Sequence, residues 1–251
     1  MHPILFKIGP LTIYSYGLMV AAGFGAAIYL ALRQAHKFGL KKENVIDICL
    51  YILIAGLAGA RILYVLLNLD YYRSNPIEIF YISRGGLVWY GAFFFGLLAG
   101  LLYAVLKKIS FRDMADLMAP YIALGQSIGR IGCFLNGCCY GTVAAQGFPL
   151  RVYFPEDAFP RHPTQVYSSL ALLGLFILLR YLQGHRRFRA EIFLSYAVLY
   201  PVQRFIIEFF RGDNPRVIMN LTVSQAGSLA VFVISSCAYI IFLIRWKRTR
   251  L

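Results

Sequence analysis

Three arginines lie within segments apolar enough to cross a membrane, and they carry the strongest chemical signal in this sequence. Arg130 ends one such segment, Arg61 is near the middle of another, and Arg204 stands four residues before Glu208 in a third. A guanidinium group keeps its proton in proteins, and at the centre of a lipid-facing helix it costs roughly 2.5–3.5 kcal/mol. The i, i+4 spacing lets Arg204 and Glu208 pair on one helix face. The surplus positive charge predicts a site for an anionic lipid headgroup.

A structural role is the alternative interpretation of the same charges. Buried ion pairs and snorkelling side chains also keep arginines within spans. For Arg61 this interpretation and a lipid-binding role are equally well supported by the sequence. For Arg211, at a helix end, snorkelling or a contact outside the membrane is favoured.

Three further polar residues are candidates for such a site. Tyr16 opens the first span and Tyr90 lies early in the third, each followed by a glycine. The alternative for both is an aromatic belt at the membrane interface. His162 lies between Arg161 and Pro163 where the chain re-enters the membrane, so it either positions a ligand or is simply solvated.

The sequence contains five cysteines. Cys49 and Cys237 fall in spans, where small apolar packing is the expected role. Cys133, Cys138 and Cys139 cluster at the end of the fourth span, where packing, a disulfide in an oxidising compartment and a catalytic thiol all remain open. A zinc site is not favoured, because the spacing lacks a second cysteine pair or a histidine partner group. The sequence therefore predicts no metal.

Membrane-spanning helices are the elements that must position these residues. The chain has 251 residues, of which 59% are hydrophobic and 14% charged, whereas a soluble domain carries about 25% charged residues. No soluble fold of this length could bury so much apolar surface. The pattern predicts an all-α integral membrane protein with seven transmembrane helices, at about 14–32, 45–67, 87–106, 114–135, 165–182, 190–210 and 221–244.

The basic residues predict the orientation of these helices. One set of loops, with the C-terminal tail, holds fifteen: Arg33, Lys37, Lys41, Lys42, Lys107, Lys108, Arg112, Arg180, Arg186, Arg187, Arg189, Arg245, Lys247, Arg248 and Arg250. The opposite set holds seven: Lys7, Arg73, Arg84, Arg151, Arg161, Arg211 and Arg216. The richer side is cytoplasmic, so the N-terminus is expected outside and the C-terminus inside. This placement accounts for the net charge of +14 and argues against a nucleic-acid partner.

The chain is expected to form a single transmembrane domain, 1–251, with one long periplasmic loop at about 142–164. Four of its motifs together resemble those of the prolipoprotein diacylglyceryl transferase family. The motifs are Tyr16-Gly17-Leu18-Met19, Gly129-Arg130-Ile131-Gly132-x-Phe134-Leu135-Asn136-Gly137-x-x-x-Gly141, Arg161-His162-Pro163-Thr164-Gln165-Val166-Tyr167 and Arg204-x3-Glu208-x2-Arg211. Their order and the predicted spans agree with the family over nearly the whole chain.

The resemblance implies a multi-pass enzyme of the bacterial inner (plasma) membrane that needs no metal or organic cofactor. Such enzymes move the diacylglyceryl group of phosphatidylglycerol onto the lipobox cysteine thiol of a prolipoprotein, and glycerol phosphate leaves. By the same resemblance, Arg130 grips the headgroup, and Arg204, steadied by Glu208, sits beside the reacting centre. Tyr16 and Asn136 complete the polar pocket.

Three positions differ from the family's usual pattern. Tyr90 stands where a histidine is usual, Cys133 where an asparagine is usual and Cys138 where a glutamate is usual. A phenol with a pKa of ~10 is a weak base at neutral pH. Tyr90, His162 and a thiolate are therefore all candidates for the catalytic base. A lipid transferase with another acceptor and a non-catalytic phospholipid-binding protein are the alternative functions.

Overall fold

The computed structural model describes residues 1–9, 11–81, 85–145, 147–155, 157–218 and 220–249. Arg84 and Arg250, which entered the charge pattern, lie outside these ranges. The helices are α1 (Ser15–Gln34), α2 (Lys42–Leu67), α3 (Leu69–Ser74), α4 (Trp89–Leu106), α5 (Phe111–Asn136), α6 (Thr164–Gln183), α7 (Glu191–Glu208) and α8 (Val223–Arg248). The described residues also form two 3-10 helices, Ala35–Phe38 and Pro76–Phe80, and two antiparallel hairpins: β1 (Ile4–Ile8) with β2 (Leu11–Tyr14), and β3 (Arg216–Ile218) with β4 (Leu221–Thr222).

Helices occupy each of the segments predicted to cross the membrane. Within the described residues, five helical segments are long and apolar enough to cross: Ser15–Phe38, Lys42–Leu67, Trp89–Leu106, Thr164–Gln183 and Val223–Arg248. Helices α5 and α7 do not reach that hydropathy, because ionisable side chains such as Asp116, Arg130, Arg204 and Glu208 interrupt them. The chain is thus a mostly helical multi-pass membrane protein, and the count of seven spans stays a prediction.

The chain divides into two compact units, Met1–Ala31 with Ala115–Leu251, and Leu32–Met114. In the first unit, α7 packs against α6 and α8. A buried apolar cluster there joins α5, α6 and α7 through Ala119, Ala123, Leu175, Leu179 and Ile192. The second unit is built on the packing of α2 against α4. The single transmembrane domain expected from the sequence stays a prediction.

Asp116 of α5 fixes the beginning of α7. Its carboxylate is fully buried and accepts hydrogen bonds from the backbone N–H groups of Ala190, at 2.7 Å, and Phe193, at 2.9 Å. Arg186 pairs with the same carboxylate at 3.1 Å. Because backbone donors at a helix start lack intrahelical partners, this contact satisfies them and sets the position of α7. The other end of α7 carries Arg204 and Glu208.

Close helix contacts in both units depend on glycine. In the first unit, a Cβ atom added to Gly23 would lie 2.8 Å from the carbonyl oxygen of Gly125. In the second, a Cβ atom added to Gly91 would lie 2.2 Å from the carbonyl oxygen of Gly59. Such approaches are typical of membrane helices, whose association depends on backbone proximity at small residues.

We expect Gly91→Ala to destabilise the second unit. The methyl group has no room against the Gly59 carbonyl, and overpacking of this kind costs about 1–3 kcal/mol. Gly174→Ala in α6 is the matched control, because no heavy atom lies within 4 Å of its added Cβ and alanine favours a helix by up to ~1 kcal/mol. Thermal unfolding in detergent should show a lower midpoint for Gly91→Ala alone. Equal midpoints for the two variants would contradict the packing described.

Candidate active site

The predicted pair between Arg204 and Glu208 is present in the first unit. The Nη2 atom of Arg204 lies 2.9 Å from Oε2 of Glu208, whose side chain is completely buried. Three more groups contact this carboxylate: the Thr222 hydroxyl donates to Oε1 at 2.9 Å, the Asn214 amide donates to Oε1, and Arg211 Nε lies 3.8 Å from Oε2. Glu208 is therefore the anion that holds the end of α7 and the start of α8 together.

The contact with Glu208 leaves one nitrogen atom of the Arg204 guanidinium group without a hydrogen-bond partner among the described residues. Its Nη2 atom also donates to the Ser224 hydroxyl at 3.0 Å. Its Nη1 atom is buried and has no hydrogen-bond partner among the described residues. An unmet buried donor costs about 1–3 kcal/mol, and more when it is charged. This nitrogen therefore keeps a hydrogen-bond donor that the described residues leave unused.

Arg130, near the end of α5, forms no ion pair with a carboxylate of the described residues. Within the described ranges, no hydrogen bond or ion pair joins its guanidinium group to another residue. It is close enough to Arg204 for the two cations to repel each other. Glu208 pairs with Arg204 and Arg211, and Arg211 also pairs with Asp213. A bound anion would remove the repulsion between Arg130 and Arg204.

Backbone contacts bring three of the sequence motifs together at Gly141. Its N–H donates to the carbonyl oxygen of His162 at 2.8 Å, and the next N–H, of Thr142, donates to that of Phe210 at 2.8 Å. A Cβ atom at Gly141 would lie 2.4 Å from the Phe210 oxygen and 2.9 Å from the His162 Cβ. Only glycine fits this crossing. The end of the 129–141 motif, the 161–167 motif and the end of α7 are thereby fixed against one another.

His162 is held within an aromatic cluster. Its Nδ1 atom lies 3.1 Å from the Tyr167 hydroxyl, and its ring packs against Phe148 and Phe210 at centroid distances of 4.7 Å and 5.6 Å. The neighbouring Arg161 pairs with Asp157 and donates to the Gly141 carbonyl at 3.3 Å. These contacts hold the His162 ring in place, and its role as a base stays a prediction.

The three clustered thiols converge. The Sγ atoms of Cys133, Cys138 and Cys139 all lie within 4.8 Å of one another. All five cysteines of the chain are free thiols, so the disulfide considered from the sequence is not formed. The neighbouring Cys133 thiol lowers the pKa of the Cys139 thiol below its usual value; burial opposes this effect and the Arg211 guanidinium adds to it. Cys49 is buried, as packing requires, and Cys237 is exposed.

Two other predicted residues lie beside this cluster. The Tyr16 phenol is close enough to interact electrostatically with Arg130 and with all three thiols. The Asn136 side chain, at the last position of α5, lies close to the Cys138 thiol. The first unit therefore brings Tyr16, Arg130 and Asn136 together around the thiols. Their contacts with a lipid stay predictions.

Two predicted residues belong to the second unit, which is described by itself. Arg61 is buried and donates to four backbone carbonyls, of Glu78, Ile79, Gly85 and Gly86, at 2.6–3.1 Å. It also forms part of the wall of a cavity of about 470 Å³ lined by Tyr64, Asn68, Tyr71, Tyr72, Glu78, Tyr81, Gly85 and Gly86. Tyr90 is exposed near the beginning of α4 and contacts Trp89. Lipid binding by Arg61 and catalysis by Tyr90 stay predictions.

Sequence reasoning missed several residues that support Arg204 and Glu208. Ser224 and Asn214 gave no signal, because short polar residues in loops and first turns are common. Thr222 was detectable, since Thr222 and Gln225 form a capping box at the start of α8. The same threonine hydroxyl contacts Glu208, which connects the helix cap to the ion pair.

Comparisons with known proteins all point to one protein family. A family model described as prolipoprotein diacylglyceryl transferase matches residues 3–241. A Clostridium tetani protein is 36% identical over 240 residues, covering 93% of this chain and 95% of that protein. Proteins of Bacillus velezensis and Oceanobacillus iheyensis are each 33% identical, covering 94% and 98% of this chain and 90% and 88% of their own lengths. All three are named phosphatidylglycerol–prolipoprotein diacylglyceryl transferase.

Proposed function

Because this chain belongs to the prolipoprotein diacylglyceryl transferase family, we propose that it transfers the diacylglyceryl group of phosphatidylglycerol to the lipobox cysteine of prolipoproteins. A thioether forms, and glycerol phosphate is released. The observation that carries the proposal is the buried Nη1 atom of Arg204, which has no hydrogen-bond partner among the described residues, together with the nearby charge of Arg130. This arrangement suits the phosphate of an anionic phospholipid.

The two arginines have the properties that the leaving group requires. When the C–O bond of phosphatidylglycerol breaks, negative charge develops on a phosphate oxygen. Fixed cations in a site of low dielectric stabilise such charge without having to reorganise. Arg204 is already fixed by Glu208 and Ser224, so its free nitrogen needs no further ordering when the lipid binds. Arg130 supplies the second cation.

The same proposal assigns roles to the other candidate site residues. Tyr16 and Asn136 border the headgroup site, as their proximity to Arg130 and to Cys138 suggests. Tyr90 and His162 are the side-chain candidates for taking the proton of the acceptor thiol. Arg61 contacts lipid through the open side of its cavity.

The membrane arrangement in this proposal has seven spans. Helices α5 and α7 cross together with the five more apolar segments, because Asp116, Arg204 and Glu208 are paired within the protein and Arg130 faces the lipid headgroup. The basic residues place the N-terminus outside and the C-terminus in the cytoplasm. The protein then resides in the bacterial inner membrane, with its arginine site towards the outer leaflet, where a prolipoprotein presents its cysteine.

The direct test uses purified protein in vesicles that contain phosphatidylglycerol, with a lipobox peptide as acceptor. We expect a thioether-linked diacylglyceryl peptide by mass spectrometry and an equal amount of glycerol phosphate. A peptide with serine in place of the lipobox cysteine is the matched control and should stay unmodified. Rescue of a strain depleted of its own transferase is the corresponding test in cells.

Two other results would point to other functions. Glycerol phosphate released together with a labelled product other than the peptide would indicate a different acceptor. Binding of phosphatidylglycerol with no glycerol phosphate released would indicate a lipid-binding protein without catalysis. Tyr90 in place of the histidine usual in the family is the feature that makes these outcomes worth measuring.

A further inference from the structure

The three converging thiols are not needed by the transfer chemistry described above. Cys133 lies in the last turn of α5, and Cys138 and Cys139 follow just beyond its end. Cys133 and Cys138 are also two of the three positions at which this chain departs from the family pattern. A disulfide would join only two sulfur atoms. The convergence of three sulfurs within 4.8 Å points instead to a shared ligand.

Buried side chains hold the backbone of this cluster in place. The Cys138 N–H donates to the Cys133 carbonyl at 3.1 Å. The Gln165 amide donates to the Cys138 carbonyl at 2.7 Å, and the Thr164 hydroxyl donates to the Cys139 carbonyl at 2.8 Å. Cys139 adopts a φ of 64°, a left-handed conformation that costs a residue with a side chain roughly 1–2 kcal/mol. The turn that gathers the sulfurs is therefore built into the fold.

We propose that Cys133, Cys138 and Cys139 bind one thiophilic divalent metal ion of the zinc class, and that its fourth coordination position takes the sulfur of the acceptor cysteine. The proposal rests on the proposed function, because it names the group that prepares the acceptor for transfer. Zinc binds thiolates at about 2.3 Å in a tetrahedral site, which places the sulfurs about 3.8 Å apart. The sulfur atoms, now within 4.8 Å of one another, need to move only slightly closer to reach that geometry.

The surrounding charges suit such an ion. Three thiolates and a divalent cation leave one net negative charge. The Arg130 guanidinium interacts with Cys133 and Cys139, and the Arg211 guanidinium interacts with Cys139. These cations offset the negative charge of the complex, which is partly buried and would otherwise be costly to desolvate.

The site would remove the need for a histidine base. Three protein ligands and one open position are typical of catalytic zinc, and a thiol that coordinates a metal is deprotonated. The acceptor S–H proton passes to water as the sulfur binds the ion. That sulfur then attacks the glyceryl carbon: the C–S bond forms, the C–O bond breaks, and its electron pair stays on the phosphate beside Arg130. No group is oxidised or reduced.

Metal binding is tested first, without any transfer reaction. The full chain in detergent is reduced, freed of metal with a chelator and titrated with Co²⁺, followed by its visible spectrum, and then with Zn²⁺ as competitor. We expect one equivalent of Co²⁺ to give thiolate-to-metal charge transfer. Cys133→Ser, Cys138→Ser and Cys139→Ser should each weaken binding by at least about 100-fold, because even second-shell losses cost 10–100-fold. Cys237→Ser, which alters an exposed thiol outside the cluster, should bind normally.

Several outcomes would overturn the metal site. These are the absence of thiolate charge transfer at one equivalent, unchanged binding in any of the three variants, or a disulfide within the cluster of the protein isolated without reductant. Thermal unfolding of each variant shows whether it is folded. Where a serine variant is unfolded, the alanine variant at the same position replaces it.

The acceptor step is tested separately. Lipobox peptide added to the Co²⁺-loaded protein should change the spectrum to that of four sulfur ligands, whereas the serine peptide should not. An unchanged spectrum would overturn the acceptor step. Full transfer activity after complete metal removal would also overturn it and would leave the proposed function standing. If the peptide sulfur enters the cobalt site but no transfer occurs with any metal, the proposed function fails and the metal site stands.

Discussion

Arg130→Ala is expected to lower the rate of diacylglyceryl transfer by about 10²–10³-fold, the usual loss when one charge-stabilising group is removed from a reacting centre. Its thermal unfolding midpoint should stay close to that of the wild type. The reason is that no described residue forms a hydrogen bond or ion pair with the Arg130 side chain, so its removal leaves no protein group unpaired. The measurement is transfer to a lipobox peptide, with unfolding followed on the same preparation.

Two variants show whether the loss is specific to the site. Arg73→Ala removes an exposed arginine, paired only loosely with Asp70 at 3.8 Å, and should keep full activity. Arg130→Lys keeps the charge but loses the flat, forked donor geometry that fits a phosphate. It should recover part of the activity. Full activity in Arg130→Ala would exclude the phosphate-binding role proposed for this residue.

Glu208→Ala is expected to have the largest effect on stability, together with loss of transfer. Removing one member of a buried ion pair costs about 3–5 kcal/mol, because the partner is left charged and unpaired. Here Arg211, Thr222 and Asn214 each also lose their contact with the Glu208 carboxylate. Unfolding in detergent should show a much lower midpoint than Asp70→Ala, which removes an exposed carboxylate with only a loose partner.

A double variant separates the two effects of Glu208. In Arg204→Ala/Glu208→Ala neither the cation nor its anion remains, so part of the lost stability should return. Transfer should stay absent, since Arg204 is needed for the phosphate. Additive losses of stability in the double variant would mean that the two side chains do not act as a pair.

Local patterns in the sequence predicted the parts of the fold that depend on near neighbours. The pairing of Arg204 with Glu208 follows from their four-residue spacing on one helix, and the structure confirms it. Each predicted span contains a helix, because long apolar segments favour one. The hairpin of β1 and β2 was not predicted, since short strands at a chain end give a weak pattern beside a long apolar helix.

Features that depend on distant segments could not be predicted in this way. Arg61 was a candidate for lipid binding or for an ion pair, yet its donors meet carbonyl groups 17–25 residues away along the chain. The spacing of the cysteines argued against a metal, because it lacks a second cysteine pair or a histidine partner group. A sequence does not show that Cys139 adopts a left-handed conformation. The left-handed φ of Cys139 is part of the turn that brings the three thiols close together.

The division of the chain into two units has a consequence for biosynthesis. The second unit is continuous, so every one of its contacts can form once Met114 has left the ribosome. The first unit is interrupted, and Gly23 meets Gly125 only after about a hundred further residues have been translated. At typical synthesis rates of 5–20 residues per second, α1 waits for roughly 5–20 seconds in the bilayer without that partner. During this interval the face of α1 that later receives α5 is covered by lipid or by another protein segment.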